Sequence, residues 1–359
     1  MLGVLLINLT GCNSIGVHKL THEQPDYQEA ISKNTQEEML INLVKLKYTD
    51  NISFLDISSI STNHSLEYRA GYDLSLSNVI GNPLSAGHTQ TNKYAPEVTY
   101  AEKPIINYTP LSGEKFTKKL LTPIPLYSIY LLTRSGWRID QIFRLLVQEF
   151  NGIENATSSS APTSSHVPEY KNFVQAVEAL RELQINDALR FNYLKKQNSE
   201  ILVMHIKPGY VQSPAANTLR KILHIPNAQS AITIGEYSAE QNVKTDILLE
   251  SRSLLDCFYF LSNAVKVPQL HTDKGLVTVT RYADGTSFEW SKVTQGLMVI
   301  HSQTTKPNEA AVKVFYRNHW YYIADNDIAS KSTLAVLCQL FELNIQVQRQ
   351  ASTQWSVAV

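Results

Sequence analysis

One short segment with almost nothing to bury divides this chain of 359 residues. Seven of the nine positions 157–165 are Ser or Thr, and the other two are Ala161 and Pro162. Such a composition favours solvated, irregular chain over a packed element. The chain length fits two domains. We therefore predict a linker at 155–168 between an N-terminal domain (35–154) and a C-terminal domain (169–345), the alternative being a long surface loop within one domain.

The composition narrows the class of protein. Hydrophobic residues make up 43% of the chain and charged residues 18%, which is typical of a chain with a packed core. The 32 basic and 32 acidic residues cancel, and no block rich in Lys or Arg occurs. Nucleic-acid binding normally requires such a basic footprint, so we expect no nucleic-acid partner. No apolar run approaches the 18 residues of a membrane-spanning helix.

The first twelve residues carry the clearest indication of location. An apolar run at 2–7 is followed by Leu9-Thr10-Gly11-Cys12, which resembles the lipobox of bacterial lipoproteins. The chemistry needs a thiol that accepts a diacylglycerol and small residues that let the preceding peptide bond enter a peptidase. The resemblance implies that 1–11 is a signal peptide and that Cys12 becomes the lipidated first residue. No basic residue precedes Cys12, although signal peptides normally begin with positive charge. Either the true start lies upstream of Met1, or the segment is a buried first strand with an ordinary core cysteine.

The resemblance also implies a compartment. Several acyl chains on Cys12 would hold the protein on a membrane, since one chain alone binds only marginally. Asn13 follows the cysteine where an Asp would indicate retention at the inner membrane, so we expect the outer membrane, on its periplasmic face. The polar, aperiodic residues 12–34 are interpreted as a flexible tether. Three further stretches look similar to uncharacterised proteobacterial lipoproteins, and they imply no catalytic residue: 108–116, 253–262 and 315–325.

Hydrophobic periodicity predicts an α+β fold, with antiparallel sheets flanked by helices in both domains. Helical spacing of apolar residues is found at 36–48, 140–150, 169–183, 214–223 and 246–265, and in a final helix from Ser332 to about Leu343. Strand alternation is found at 52–60, 66–76, 97–108, 187–194, 200–206, 276–282, 286–290, 296–302, 310–317 and 320–323. Turns are expected at Asn63-His64 and at 283–285, and a long loop at 78–96. Residues 346–359 are interpreted as a tail.

No motif for catalysis, a cofactor or a metal stands out. The glycine signatures of nucleotide sites, the zinc-protease helix and the serine-hydrolase elbow are all absent, the nearest approach being Pro83–Gly87. His18 and His22 fall in the predicted tether. Asp325-Asn326-Asp327 lacks the Gly and Glu of a calcium loop and is interpreted as a turn. Cys257 and Cys338 are either free thiols or a disulfide, because spacing alone does not pair them.

The densest aromatic stretch is His319, Trp320, Tyr321 and Tyr322, with Phe315 and Tyr316 across a turn. Aromatic residues on an exposed strand can form a surface for a partner. Alternation along a strand would instead bury half of them in the core. We take these four residues as a possible partner surface, with plain packing as the alternative.

Three functional hypotheses remain. The first is a non-enzymatic, lipid-anchored periplasmic protein that acts as a structural or assembly component of a cell-envelope complex, with a membrane and an envelope protein as partners and no cofactor. The second is a lipoprotein that binds a small molecule or a glycan, for which a deep pocket lined by aromatic residues is expected. The third is an enzyme, for which a pocket should contain two titratable groups with strongly shifted pKa values. A flat apolar patch would favour a protein partner.

Overall fold

A computed structural model of the chain describes residues 15–73, 93–156, 167–196, 199–226, 229–236 and 245–345. They form two compact units, a small one over Ser53–Leu111 and a larger one built from the chain on both sides of it. Antiparallel sheets are flanked by helices, so the predicted α+β class is confirmed. No helix in these ranges is long and apolar enough to cross a membrane.

The elements in chain order are as follows. The helices are α1 (Ile15–Lys47), α2 (Glu114–Leu121), α3 (Leu126–Arg134), α4 (Ile139–Leu146), α5 (Lys171–Ile185), α6 (Pro214–Ile222), α7 (Leu254–Ser262), α8 (Gln269–Asp273), α9 (Ser291–Thr294) and α10 (Ile328–Ile345). The strands are β1 (Phe54–Asp73), β2 (Lys93–Leu111), β3 (Val147–Phe150), β4 (Ile153–Glu154), β5 (Leu189–Lys196), β6 (Ser199–Ile206), β7 (Ala231–Glu236), β8 (Ile247–Ser251), β9 (His301–Gln303), β10 (Ala310–Tyr316) and β11 (His319–Ala324).

The small unit is one long antiparallel hairpin of β1 and β2. The prediction of two separate strands here, with a turn at Asn63-His64, is wrong. Asn63 and His64 pair with Lys103 and Glu102 in an unbroken register, and the one irregularity is a bulge between Ile57 and Ser59. Polar residues break the apolar alternation without breaking the backbone ladder, which explains the error. The predicted loop at 78–96 falls mostly outside the described residues, and its last four residues belong to β2.

The larger unit contains a six-stranded sheet in the order β4-β3-β8-β7-β6-β5. Its neighbouring strands are antiparallel except β7 and β8, which are parallel. A row of buried aromatic rings joins the sheet to its helices. The ring centroid of Phe150 on β3 lies 5.5 Å from that of Phe143 on α4 and 5.2 Å from that of Phe173 on α5.

The pairing within this sheet contradicts the predicted domain boundary. Strands β3 and β4 precede the Ser/Thr-rich segment, whereas β8 follows it, and Phe150 on β3 pairs with Leu249 on β8. Residues 35–154 and 169–345 therefore do not form separate domains, and 155–168 connects elements of a single unit. The structure instead separates the hairpin. Apolar residues at 146, 147 and 150 fit a helix as well as a short strand, which explains why the predicted helix at 140–150 includes the residues of β3.

Two more predictions need correction. Residues 15–34 of the predicted tether belong to α1, because Glu, Gln and Lys propagate a helix well even where no apolar face marks it. The predicted helix at 246–265 is strand β8 followed by α7. A capping box between Ser253 and Asp256 fixes the start of α7, and β8 before it buries alternate residues.

The predicted hairpin at 276–290 is reduced to one isolated bridge, between Arg281 and Ser287, in the described part of the chain. A buried hydrogen bond of 2.9 Å from the Trp290 indole nitrogen to the Thr280 hydroxyl holds this segment together.

A second sheet, β10-β11-β9, is antiparallel throughout. Helix α1 packs on β10, α7 and α10, which places the C-terminal half of α1 in the core.

Candidate partner-binding surface

The four predicted residues lie on β11, the middle strand of the three-stranded sheet, and its register divides them between two faces. Tyr321 is fully buried, on the face that also carries the buried Val312 and Ile323. His319 falls on this inner side as well, in register with Tyr316. Tyr321 is therefore not available for contact with a partner. Trp320 and Tyr322 remain on the outer face, both half-buried.

Two cross-strand rows form the outer face, Phe315–Trp320–Gln303 and Lys313–Tyr322–His301. The ring centroids of Phe315 and Trp320 are 5.2 Å apart, and those of His301 and Tyr322 are 5.3 Å apart in a stacked arrangement. Phe315 keeps 53% of its surface exposed, which is high for so large an apolar side chain. We call Phe315, Trp320, Tyr322 and His301 the aromatic face.

Polar groups at the rim of the aromatic face are positive. The Lys306 amine lies 5.6 Å from the centroid of the Trp320 ring, and the Lys313 amine donates to the Pro307 carbonyl at 2.9 Å. Burial, followed by the nearby Lys266, lowers the pKa of His301, so its ring is neutral at pH 7. The two cross-strand rows include no carboxylate. The arrangement offers two pairs of aromatic rings with two lysine amines beside them, on the outer face of a sheet.

The inner side of the same sheet holds a buried hydrogen-bond chain, which we call the tyrosine network. The hydroxyl of Tyr48, at the end of α1, lies 2.6 Å from Nδ1 of His271 and 2.5 Å from the hydroxyl of Tyr321. Burial raises the pKa values of both tyrosines, and burial followed by the charges of His319 and Arg317 lowers that of His271. All three groups are therefore neutral at pH 7, and the network ties α1 to β11 and α8.

An ionic cluster extends the tyrosine network to the β10–β11 turn. The Asp50 carboxylate accepts from the Tyr316 hydroxyl and, at 2.8 Å, from the Arg317 guanidinium. Partial burial raises the pKa of Asp50, but these two hydrogen bonds outweigh it and hold the value below its usual range. Arg317 also lies 4.9 Å from the centroid of the Tyr48 ring. Arg317 and Asn318 both have positive φ, as a tight hairpin turn requires. The cluster thus fixes the end of the sheet beside the aromatic face.

One cavity in the larger unit has a volume of about 620 Å³. Its lining includes the aromatic rings of Tyr170, Tyr282 and Phe288 and the charged side chains of Glu154 and Lys292. One oxygen of the Glu154 carboxylate is buried without a hydrogen-bond partner among the described residues. The lining therefore combines aromatic rings with a carboxylate and an amine.

A second cavity, of about 340 Å³, contains the amine of Lys47. Burial lowers the pKa of this amine from 10.5 to about 8. It donates to the amide oxygen of Asn263 at 3.3 Å, and no described carboxylate forms an ion pair with it. The third cavity, of about 570 Å³, is a charged cleft in which Asp140 binds Arg138 at 2.6 Å and lies 3.8 Å from Arg181. The second cavity offers one perturbed amine, whereas general acid–base chemistry uses a matched pair.

The other candidate residues have structural explanations where they are described. Cys257 and Cys338 are free thiols, and burial raises the pKa of each to about 12, so neither is a reactive thiolate at neutral pH. Asp327 accepts from the backbone and hydroxyl of Ser330 at 3.0 and 2.5 Å, which confirms a turn into α10. In the described ranges no group of three or more acidic, histidine or cysteine side chains is placed to hold a metal ion.

Several of the predicted positions lie beyond what the structure describes. Cys12 and Pro83–Gly87 fall outside the described residues, and His18 and His22 lie in a part of α1 of which only the backbone is described. Sequence reasoning missed Tyr48, Asp50 and the buried role of His271, because they meet β11 from distant parts of the chain and form no motif. Comparison with protein families, with curated proteins and with solved structures finds no significant match to this chain.

Proposed function

We propose that this protein is a non-enzymatic, lipid-anchored component of a periplasmic envelope complex, and that it binds a protein partner through the aromatic face. The resemblance of Leu9-Thr10-Gly11-Cys12 to a lipobox supports the membrane attachment and the compartment. The observation that carries the partner role is the outer surface of the three-stranded sheet, where Phe315 is 53% exposed beside the half-buried Trp320 and Tyr322.

The chemistry of the aromatic face fits a protein better than a small ligand. Binding energy in protein interfaces is concentrated in aromatic and arginine side chains at the centre of the contact, surrounded by a polar rim. Phe315, Trp320 and Tyr322 form such a centre, and Lys306 and Lys313 form part of its rim. A partner of matching chemistry presents apolar side chains bordered by carboxylates.

Photo-crosslinking from the membrane tests this role directly. A photoreactive phenylalanine analogue is placed at Phe315 in one sample and, as a matched control, at Tyr127, an aromatic residue of α3 that is 46% exposed. We expect one abundant protein adduct from position 315, none at that mass from position 127, and loss of the adduct when Trp320→Ala is added. Equal adducts from both positions, or an adduct indifferent to Trp320→Ala, would refute the partner surface.

The cavity beside Glu154 favours a second candidate function, the binding of a small polyhydroxylated molecule such as a glycan fragment. Sugar C–H groups stack on aromatic rings, and the charged side chains of Glu154 and Lys292 in the lining are hydrogen-bonding partners for hydroxyl groups. Isothermal titration of the full chain with a panel of soluble envelope glycans tests this function. Saturable binding that is lost in both Tyr282→Ala and Glu154→Gln would support it, and the absence of heat with every glycan would rule it out.

A further inference from the structure

The hairpin of β1 and β2 forms a compact unit with only two strands in the described residues. The two strands pair from Phe54–Leu111 to Asp73–Lys93. Two-stranded hairpins are marginally stable in water, and independent stability generally needs a third strand or a helix to bury the apolar face. The strand edges, where further strands would add, therefore decide what the hairpin can bind.

The edge of β2 is blocked by proline. Strand β2 contains three prolines, all at even-numbered positions: Pro96, Pro104 and Pro110. In a strand, the backbone N–H and C=O groups of every second residue point to the same side. Because proline has no N–H to donate, it is tolerated on the side of an edge strand that makes no ladder hydrogen bonds. The three prolines therefore mark the outer edge of β2, and they remove donors that an added strand would need.

Among the residues that the structure describes, the edge of β1 is open by the same reasoning. Ala70 and Thr62 are the register partners of Pro96 and Pro104, and residues directly opposite in an antiparallel pair are either both bonded across the pair or both turned outward. Even positions from 60 to 72 of β1 thus carry outward-facing backbone N–H and C=O groups. Strand β1 contains no proline at any of its 20 positions. One hairpin edge is closed to strand addition and the other is continuous.

We propose that a second copy of this chain pairs with the first through β1, antiparallel and about a two-fold axis. The result is a four-stranded sheet in the order β2-β1-β1-β2, whose two outer edges are both the proline-blocked edge of β2. Two-fold pairing uses one self-complementary edge and closes on itself, whereas pairing β1 to β2 would need the blocked edge. The resulting sheet has four strands, whereas an isolated hairpin of two strands is only marginally stable.

The pattern of β1 also selects a register. With Tyr68 on the two-fold axis, Glu67 falls opposite Arg69 of the second copy, and the same pair repeats on the other side of the axis. Opposite charges at facing positions favour a cross-strand pair. The same register places Leu66 opposite Ala70, so that the positions with apolar residues form one continuous face across both copies.

Proline substitutions at one cross-strand pair test the proposal. His64 and Glu102 are register partners, so His64→Pro and Glu102→Pro place the same change on the open and on the blocked edge. Both are made in the full chain carrying Cys12→Ser, which prevents acylation. Native mass spectrometry and sedimentation should give twice the 40.4 kDa of the chain for the parent and for Glu102→Pro. For His64→Pro we expect dimer dissociation at least about tenfold more favourable, because edge hydrogen bonds are lost.

Disulfide trapping tests the register independently. Facing residues of a hydrogen-bonded antiparallel pair have Cα atoms about 5.5 Å apart, within the range that a disulfide spans. Tyr68→Cys should give a covalent dimer on mild oxidation, and Tyr100→Cys, on β2, should remain monomeric under the same conditions. The proposal would be overturned by a monomeric parent, by an oligomer larger than two, or by equal dimerisation of the two proline variants.

Discussion

Arg252 provides the strongest test of how the larger unit is held together. This residue is fully buried between β8 and α7, and its guanidinium lies 4.1 Å from the centroid of the Phe260 ring. Burial lowers its pKa to about 10, so it stays charged at neutral pH. The guanidinium donates to three backbone carbonyls at the junction of α4 and β3, those of Arg144, Leu145 and Val147, and to that of Asn155 just after β4. Arg252 thus satisfies the end of α4 where the chain turns into the sheet.

The cost of removing Arg252 follows from these contacts. Hydrogen bonds from a charged donor contribute about 1.5–3 kcal/mol each, and Arg252→Met removes those to all four carbonyls. The loss is smaller than the sum because three carbonyls keep a second donor: the Asn155 side-chain amide donates to those of Arg144 and Val147, and the Cys257 thiol donates to that of Leu145. Relief of the burial of a charge offsets part of this, so we expect the free energy of unfolding to fall by about 3–5 kcal/mol. Arg252→Lys keeps the charge but loses the planar fork, and we expect a fall of about 2 kcal/mol.

Urea denaturation followed by circular dichroism measures both variants against the parent. Methionine fills much of the volume of the arginine side chain, so it separates lost hydrogen bonds from lost packing. The free energy of unfolding should therefore be lower for Arg252→Met than for Arg252→Lys by at least about 1 kcal/mol. A fall below about 1 kcal/mol for Arg252→Met would refute the reasoning, because it would show that the hydrogen bonds of the guanidinium contribute little to stability.

Two further predictions concern the interior of the larger unit. Tyr48→Phe removes a hydroxyl that is hydrogen-bonded to both His271 and Tyr321, so it should lower the free energy of unfolding by about 1–3 kcal/mol. Tyr321→Phe should lower it by less, and equal losses of free energy in urea denaturation would contradict this chain of hydrogen bonds. The folded-state pKa of Lys47 is depressed, so between about pH 8 and pH 10.5 the unfolded chain holds a proton that the folded chain lacks, and the stability contributed by Lys47 rises with pH. The stability of the parent relative to Lys47→Met should therefore increase across that range, and a flat or falling difference would contradict a buried amine.

Local patterns predicted the elements whose periodicity is unambiguous. The alternation of Leu189, Phe191 and Tyr193 gave β5, and Ser213-Pro214 gave the start of α6, where the Ser213 hydroxyl accepts from the Ala216 backbone. Strand β8 was missed because Ile247 and Leu254 also fit a helix, and only the capping box at Ser253 separates the two. The domain boundary was missed for a different reason, since strand pairing across a polar segment leaves no local signal.

The aromatic face was predictable in part. Strand alternation predicts that half of the residues 319–322 are core. Tyr321 is fully buried, whereas His319 on the same side of the strand is only half-buried. Sequence alone does not reveal which half, since that depends on the side of the sheet against which α1 packs. His301 and Gln303 join the surface from β9, a strand of three residues that is too short for a clear periodic signal.

Membrane attachment through Cys12 determines both the compartment and the class of partner in this account. Mass spectrometry of the amino terminus of the protein isolated from its native membrane measures this directly. The account predicts a mature chain that begins at a Cys12 carrying acyl groups, and release of the protein into the soluble fraction by Cys12→Ser. An unmodified terminus at Met1 or upstream of it, or retention of Cys12→Ser in the membrane fraction, would contradict the account.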